Sequence, residues 1–291
     1  MPGYHLPYLG GVANGLFAEY GLDVEILEPA PGPANVERVA GGGAEFCLTS
    51  VSHFLRALRR QPNQRVAARY AAIVVQRSPM AGFVAADSER QLVADLGGAR
   101  LGGRADSELV IQYQAALAHR GIAASELVDV DYEDAPAALG RGHVDVATDY
   151  IDLLPRTRRQ AGIPLRAIHV GPDAYSSGLV AGDTVASDLV ATMRAALAAA
   201  LEQQRQDPEQ GMAALEERYP EADPHDAREA WGLAVPNIFT GVTPGDMDEK
   251  TWRFTLEHLS SAYGHPVPPL DAVCREEFLT PIEAAASSRT A

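Results

Sequence analysis

Residues 4–58 read YHLPYLGGVANGLFAEYGLDVEILEPAPGPANVERVAGGGAEFCLTSVSHFLRAL, and the order of patterns inside this stretch decides the fold. An aromatic and imidazole cluster, Tyr4-His5-Leu6-Pro7-Tyr8, opens it. A helical pattern follows over 9–20, and Gly21 stands where a C-terminal cap is expected. Residues 22–27, Leu-Asp-Val-Glu-Ile-Leu, alternate apolar and acidic side chains, which predicts a strand. A Pro/Gly-rich turn leads to a short helix over 35–40, ended by three glycines, and 44–48 predict a second strand. Thr49-Ser50-Val51-Ser52 then opens a helix over 53–60. That hydroxyl run suits two roles, capping the helix or meeting a ligand. Strands alternating with helices predict an α/β fold, and such folds bind ligands at the carboxyl ends of strands, where helices begin.

Working outward, 66–76 form an apolar, β-rich run, and 99–102 predict a strand that ends in Gly102-Gly103-Arg104-Ala105-Asp106-Ser107 before a helix from Glu108 to His119. Glycines there allow close backbone approach, and Arg104 could offer a forked donor to an anion, or simply be solvated. The Lys-Ser/Thr ending of a Walker loop is absent. Strands are expected at 127–132, 144–147 and 164–169, the second of these ending in Thr148-Asp149-Tyr150. Arg156, Arg158 and Arg159 read as a solvated basic face. Helices are expected over 187–205, 208–219, 224–233 and 248–263.

The chain has 291 residues, 46% of them hydrophobic, enough for two cores, and its formal net charge of −15 makes nucleic acid and anionic membranes poor partners. Its two cysteines, Cys47 and Cys274, make neither a disulfide framework nor a metal motif. No apolar run approaches the roughly 20 residues that span a bilayer. Met1-Pro2-Gly3 lacks a basic n-region, an apolar h-region and a lipid-modified cysteine. As written, the chain is expected in the cytoplasm; a truncated start would place it in the periplasm or at the cell surface. GxSxG, HExxH and CxxC motifs are all absent.

The stretches YHLPYLGGVANGLFAEYGLDVEILEP and VERVAGGGAEFCLTSVSHFLRAL resemble the start of type II periplasmic solute-binding proteins. The branch they resemble holds receptors for thiamine-pyrimidine precursors, riboflavin, sulfonates and nitrate, together with a thiamine-pyrimidine synthase. The resemblance extends over nearly the whole chain. It implies two lobes, one of residues 1–80 and 180–291 and one of 84–174. Crossings between them are expected near 78–84 and 175–181. In the resembled family a strand precedes the segment matching Tyr4-His5; here it is missing or cut to three residues.

The function implied is capture of a small polar ligand, heteroaromatic or anionic, by hinge closure, on behalf of an ABC-type importer permease. Tyr4, Tyr8, Tyr150 and Tyr175 are candidates to stack on or cover the ligand. His5, Ser50, Ser52, His53, Arg104, Ser107, Thr148 and Asp149 are candidates to bond it. An alternative is a cytoplasmic enzyme on the same fold, and another is a cytoplasmic ligand sensor. The synthase holds pyridoxal phosphate through a lysine. The matching position is Thr49, the crossing Tyr175-Ser176-Ser177-Gly178 lacks the synthase's cysteines, and Lys250 is the only lysine. A Schiff base needs a lysine amine, so no cofactor is expected, and no metal.

Overall fold

Apolar runs of the chain separate into two sheets. The computed structural model describes residues 3–30, 32–60, 65–274 and 276–279. Its strands are β1 Phe46–Ser50, β2 Ala68–Val75, β3 Met80–Ala85, β4 Arg100–Gly103, β5 Glu126–Asp129, β6 Val146–Tyr150, β7 Leu165–His169 and β8 Ser177–Gly182. The first sheet has the order β1-β8-β2, with β8 antiparallel to both neighbours. The second has the order β5-β4-β6-β3-β7. In it β4 runs parallel to β5 and β6, while β3 is antiparallel to β6 and β7. Residues 60–180 therefore contribute to two sheets.

Helices cover these sheets. They are α1 Leu6–Ala13, α2 Leu16–Glu19, α3 Ala34–Ala40, α4 Val51–Arg60, α5 Glu108–His119, α6 Ala135–Gly140 and α7 Leu154–Ala161. After β8 come α8 Ser187–Gln206, α9 Pro208–Arg218, α10 Pro224–Ile238 and α11 Glu249–Tyr263. The core of the first sheet is built around an aromatic stack. Phe54 meets Tyr70 and Tyr70 meets Trp252, each with ring centroids 5.1 Å apart, and Tyr175 meets the edge of Trp252 at 5.2 Å. In the second sheet, the two-residue period of β3 sends Met80 and Val84 to one core with Val110 and Leu117, and Ala81 and Phe83 to another with Ala135 and Leu139. The outer edge of β2 is closed by later chain: Tyr70 N donates to Val273 O and Gly245 N to Ile73 O.

Two short crossings join the sheets, residues 76–79 and 170–176. They lie side by side, with Val170 N and Gly171 N donating to Met80 O and Ser176 N donating to Val75 O. A Cβ on Gly171 would sit 2.1 Å from Ser78 O, so this contact requires glycine.

Four expectations need correction. The helix over 9–20 is two helices, because Gly15 takes a left-handed φ of 79° between α1 and α2. The strand over 22–27 does not pair. Its alternation is real, but Leu22 and Val24 pack against Phe17, Ala196 and Ala200, and no neighbouring strand supplies a ladder among the described residues. A period of two reports which faces are buried, and leaves open whether the burying surface is a strand or a helix. The basic run is also less solvated than expected. Arg158 pairs with Glu229 and Arg159 with Asp226, tying α7 to α10, while Arg156 pairs with Glu133. Helix α10 also passes its expected end at 233 and carries Pro236 inside it, so that Asn237 O accepts from Gln76 N and Arg77 N at the first crossing.

Candidate functional site

The chain passes from β4 to β5 on one side and returns to β6 on the other, so β4 is a topological switch point. Sheets of this kind open a crevice at the carboxyl ends of such strands. A cavity of about 280 Å³ lies there. Its walls are the turn Gly102–Gly103–Arg104 after β4, the start of α5 at Ser107, Tyr132 beyond β5, Ala135 and Pro136 at the start of α6, the end of β6, and Thr157 and Gln160 on α7. Gly103 keeps this wall thin, since a Cβ there would meet Val110 Cγ2 at 2.4 Å.

Asp149 is the buried charged group of the cavity, only 6% exposed. Tyr132 Oη donates to its Oδ2 at 2.6 Å and Tyr150 N donates to its Oδ1 at 2.8 Å. Burial pushes its pKa up to about 6, partly offset by those two hydrogen bonds. Asp152, three residues on and 2% exposed, accepts from Gly3 N at 3.1 Å, and burial pushes it up to about 6 as well. Thr148 donates to Ala81 O at 3.0 Å, which fixes the end of β6 against β3. Arg104 is more than half exposed and sits between Asp106 at 3.5 Å and Asp131 at 3.4 Å.

Of the residues singled out from sequence, Arg104, Ser107, Thr148 and Asp149 line this cavity together. Ser52, Tyr150 and Tyr175 line a second, much smaller space of about 20 Å³, with Ser78 and Ser176 of the two crossings. Tyr175 is held there by Asp248, accepting from the backbone N at 2.8 Å and donating to the carboxylate at 2.9 Å. Ser50 Oγ accepts from His53 N and lies 2.9 Å from Ser52 Oγ, so the hydroxyl run caps α4. His53 lies 3.6 Å from Glu108 of α5, which Arg56 also meets at 3.1 Å. His5 is half-buried at the start of α1, and burial lowers its pKa to about 4. Tyr8 packs on the first core. The side chain of Tyr4 lies outside the described residues. Neither space is lined by His5, Tyr8, Ser50 or His53.

Sequence reading missed Tyr132, Asp152, Thr157 and Gln160. Tyr132 was findable, since it closes a predicted strand, the rule that singles out Thr148-Asp149-Tyr150. Asp152 sits in a turn and Thr157 and Gln160 on a helix face, where no local pattern marks a site.

Among the described residues, one group of acids and histidines has metal-ligand spacing. His225, Asp226 and Glu229 cluster on α10, but Asp226 and Glu229 already pair with Arg159 and Arg158. Cys47 and Cys274 are free thiols, each pushed up to about 12 by burial. Thr49 is 6% exposed within β1, and its carbonyl accepts from Tyr70 and Ser177.

The NMT1/THI5-like family pattern matches residues 3–211, more than two thirds of the chain. The chain belongs to the NMT1/THI5-like family. No curated protein matches it. Among solved structures, this NMT1/THI5-like chain is similar to the periplasmic aliphatic sulphonate binding protein SsuA from Escherichia coli, with a TM-score of 0.69 at 15% identity over 89% of this chain and 83% of that one. The ligand-binding component of an ABC-type import system from Staphylococcus aureus, with zinc bound, gives 0.67 at 10% identity, covering 98% and 97%. The alkanesulfonate-binding protein SsuA from Xanthomonas axonopodis pv. citri, bound to MOPS, gives 0.66 at 14% identity, covering 94% and 96%. At these identities the likeness shows the periplasmic-binding-protein fold that the sequence predicts. No described helix of the NMT1/THI5-like chain is long and apolar enough to cross a membrane.

Proposed function

We propose that this chain is a solute-binding protein that captures a small polar ligand and presents it to the permease of an ABC-type importer. The observation that carries this reading is the cavity at the carboxyl ends of β4 and β6, with a buried carboxylate and glycine-thinned wall. Family membership and the import and binding roles of the similar structures support it. The two lobes are residues 1–80 with 180–291, and 84–174, and they close about the paired crossings. Contacts on both flanks suit such closure: α4 meets α5 through Arg56 and Glu108, and α7 meets α10 through Arg158 and Glu229. Calorimetry and thermal shift on the purified chain test the reading. Saturable binding without turnover of the bound molecule supports it. Chemical conversion of a bound molecule would favour an enzyme instead.

A further inference from the structure

We propose that the cavity recognises a compact organic cation, a protonated amine or an amidinium, with its N–H groups held by Asp149. The proposal rests on the solute-binding reading above and names the ligand class of that same site.

Asp149 lines the cavity, is 6% exposed, and receives one donor on each oxygen, Tyr132 Oη and Tyr150 N. An ionised carboxylate offers about four acceptor directions, so each oxygen retains room for a ligand N–H. Both of those donors are neutral, and a buried carboxylate is stabilised most by a hydrogen-bonded cation.

Arg104 is shared by Asp106 and Asp131, Arg156 pairs with Glu133, Arg158 with Glu229 and Arg159 with Asp226. Among the described residues, none of these ion pairs includes Asp149. An ionised Asp149 therefore has no salt-bridge partner among those arginines; burial raises its pKa, and Arg156, acting on it only through space, lowers it by less.

A sulfonate placed beside Asp149 would meet a buried carboxylate, with that of Asp152 three residues on. Like charges brought together out of water repel strongly. Arg104 is at the exposed rim, so any anionic end of the ligand belongs there and the cationic end inside. Leu109, Val110, Ala135, Pro136 and Ala147 provide apolar walls for a short carbon frame, and about 280 Å³ is small for a binding cavity.

Three probes that share a ring and differ in head group decide the matter: benzamidine, benzamide and benzenesulfonate, with butylamine and butanesulfonate as aliphatic counterparts. Each is titrated by calorimetry into the wild-type chain and into Asp149→Asn, with circular dichroism and melting curves confirming that the variant folds. Should the variant fail to fold, competition by benzamidine against butylamine on the wild-type chain and pH-matched titration of Asp149→Glu take its place. The expected result is binding of benzamidine or butylamine, with benzamide and both sulfonates at least about tenfold weaker. Asp149→Asn should lose about tenfold or more in affinity for the cation, the scale of one charged hydrogen bond. Tighter binding of a sulfonate than of the amine, or cation affinity unchanged in Asp149→Asn, overturns the ligand class. Sulfonate binding would leave the solute-binding reading standing. Failure of every probe at about 10 mM, the weak end of the affinity scale, counts against the cation class and, unlike sulfonate binding, gives the solute-binding reading no support.

Discussion

At the scale of single residues, two buried carboxylates have separate tasks. Asp149 lines the cavity, whereas Asp152 accepts a backbone N–H from the start of the chain. Both have folded-state pKa values raised to about 6 by burial. A carboxyl raised in the folded state favours folding most while protonated, below its unfolded value near 4, and that contribution is lost as pH rises towards 6. Asp152→Asn keeps an acceptor for Gly3 N and removes the buried charge. It should raise stability by about 1–3 kcal/mol at pH 7.5 and leave it unchanged near pH 4, as read by urea unfolding at the two pH values. Equal stability to wild type at both pH values would show that Asp152 is not a strained buried charge. Asp145 works in the opposite sense, since Arg100 holds it down at about 2, so its contribution persists above pH 4 and falls only in stronger acid. His53, a site candidate from sequence, contacts Glu108 and lines neither the cavity nor the second, smaller space. His53→Ala should therefore leave ligand affinity within about twofold, a change below 0.5 kcal/mol or so. A tenfold loss in calorimetry would return it to the binding site.

At the scale of elements, the paired crossings and the flanking helices control how the two sheets meet. Gly171 lies against Ser78 O, where a methyl group has no space. Gly171→Ala should push the crossings apart and cost about 1–3 kcal/mol, measured as a lower urea midpoint with an unchanged slope. A wild-type midpoint would mean the crossings yield freely. Helices α4 and α5 meet at Glu108, which His53 and Arg56 both approach, and Gln112 of α5 donates to Tyr263 of α11 at 3.1 Å. Arg56 is nearly half exposed, so the ion pair adds less than about 1 kcal/mol to stability. Its role shows in geometry instead. Glu108→Ala should increase the radius of gyration of the ligand-free chain in small-angle scattering while leaving its melting temperature nearly unchanged. An unaltered radius would remove this contact from the closure mechanism.

At the scale of the whole molecule, the cavity and the proposed closure share one element. The start of α5 supplies Ser107 to the cavity and Glu108 to the neighbouring helix, so a ligand seated against this turn bears on the contact between the sheets. Ligand at saturation should therefore contract the molecule in scattering and raise its melting temperature together. At about 100 times Kd the added stability is about 2.7 kcal/mol. A melting shift with no contraction would separate binding from hinge closure.

Much of the fold was legible because its signals are local. Glycines and prolines punctuate the chain, a helix cap needs a hydroxyl beside an apolar run, and the carboxyl ends of parallel strands announce polar loops, as at Gly103 to Ser107 and at Thr148-Asp149. Those patterns determined the α/β class and four residues that line the cavity. The crossings were expected from the family resemblance, near 78–84 and 175–181, whereas the segments that join the sheets are 76–79 and 170–176. What only the tertiary structure decided is non-local. The alternation over 22–27 became a loop packed on α8 because no strand lies beside it among the described residues. The hydroxyls of Ser50 and Ser52 bond each other and cap α4, and Arg158 and Arg159 of α7 meet carboxylates more than 50 residues away. Whether a polar side chain faces a ligand, a helix end or an opposite charge depends on which partner the folded chain brings within about 3 Å, and spacing along the sequence does not carry that distance.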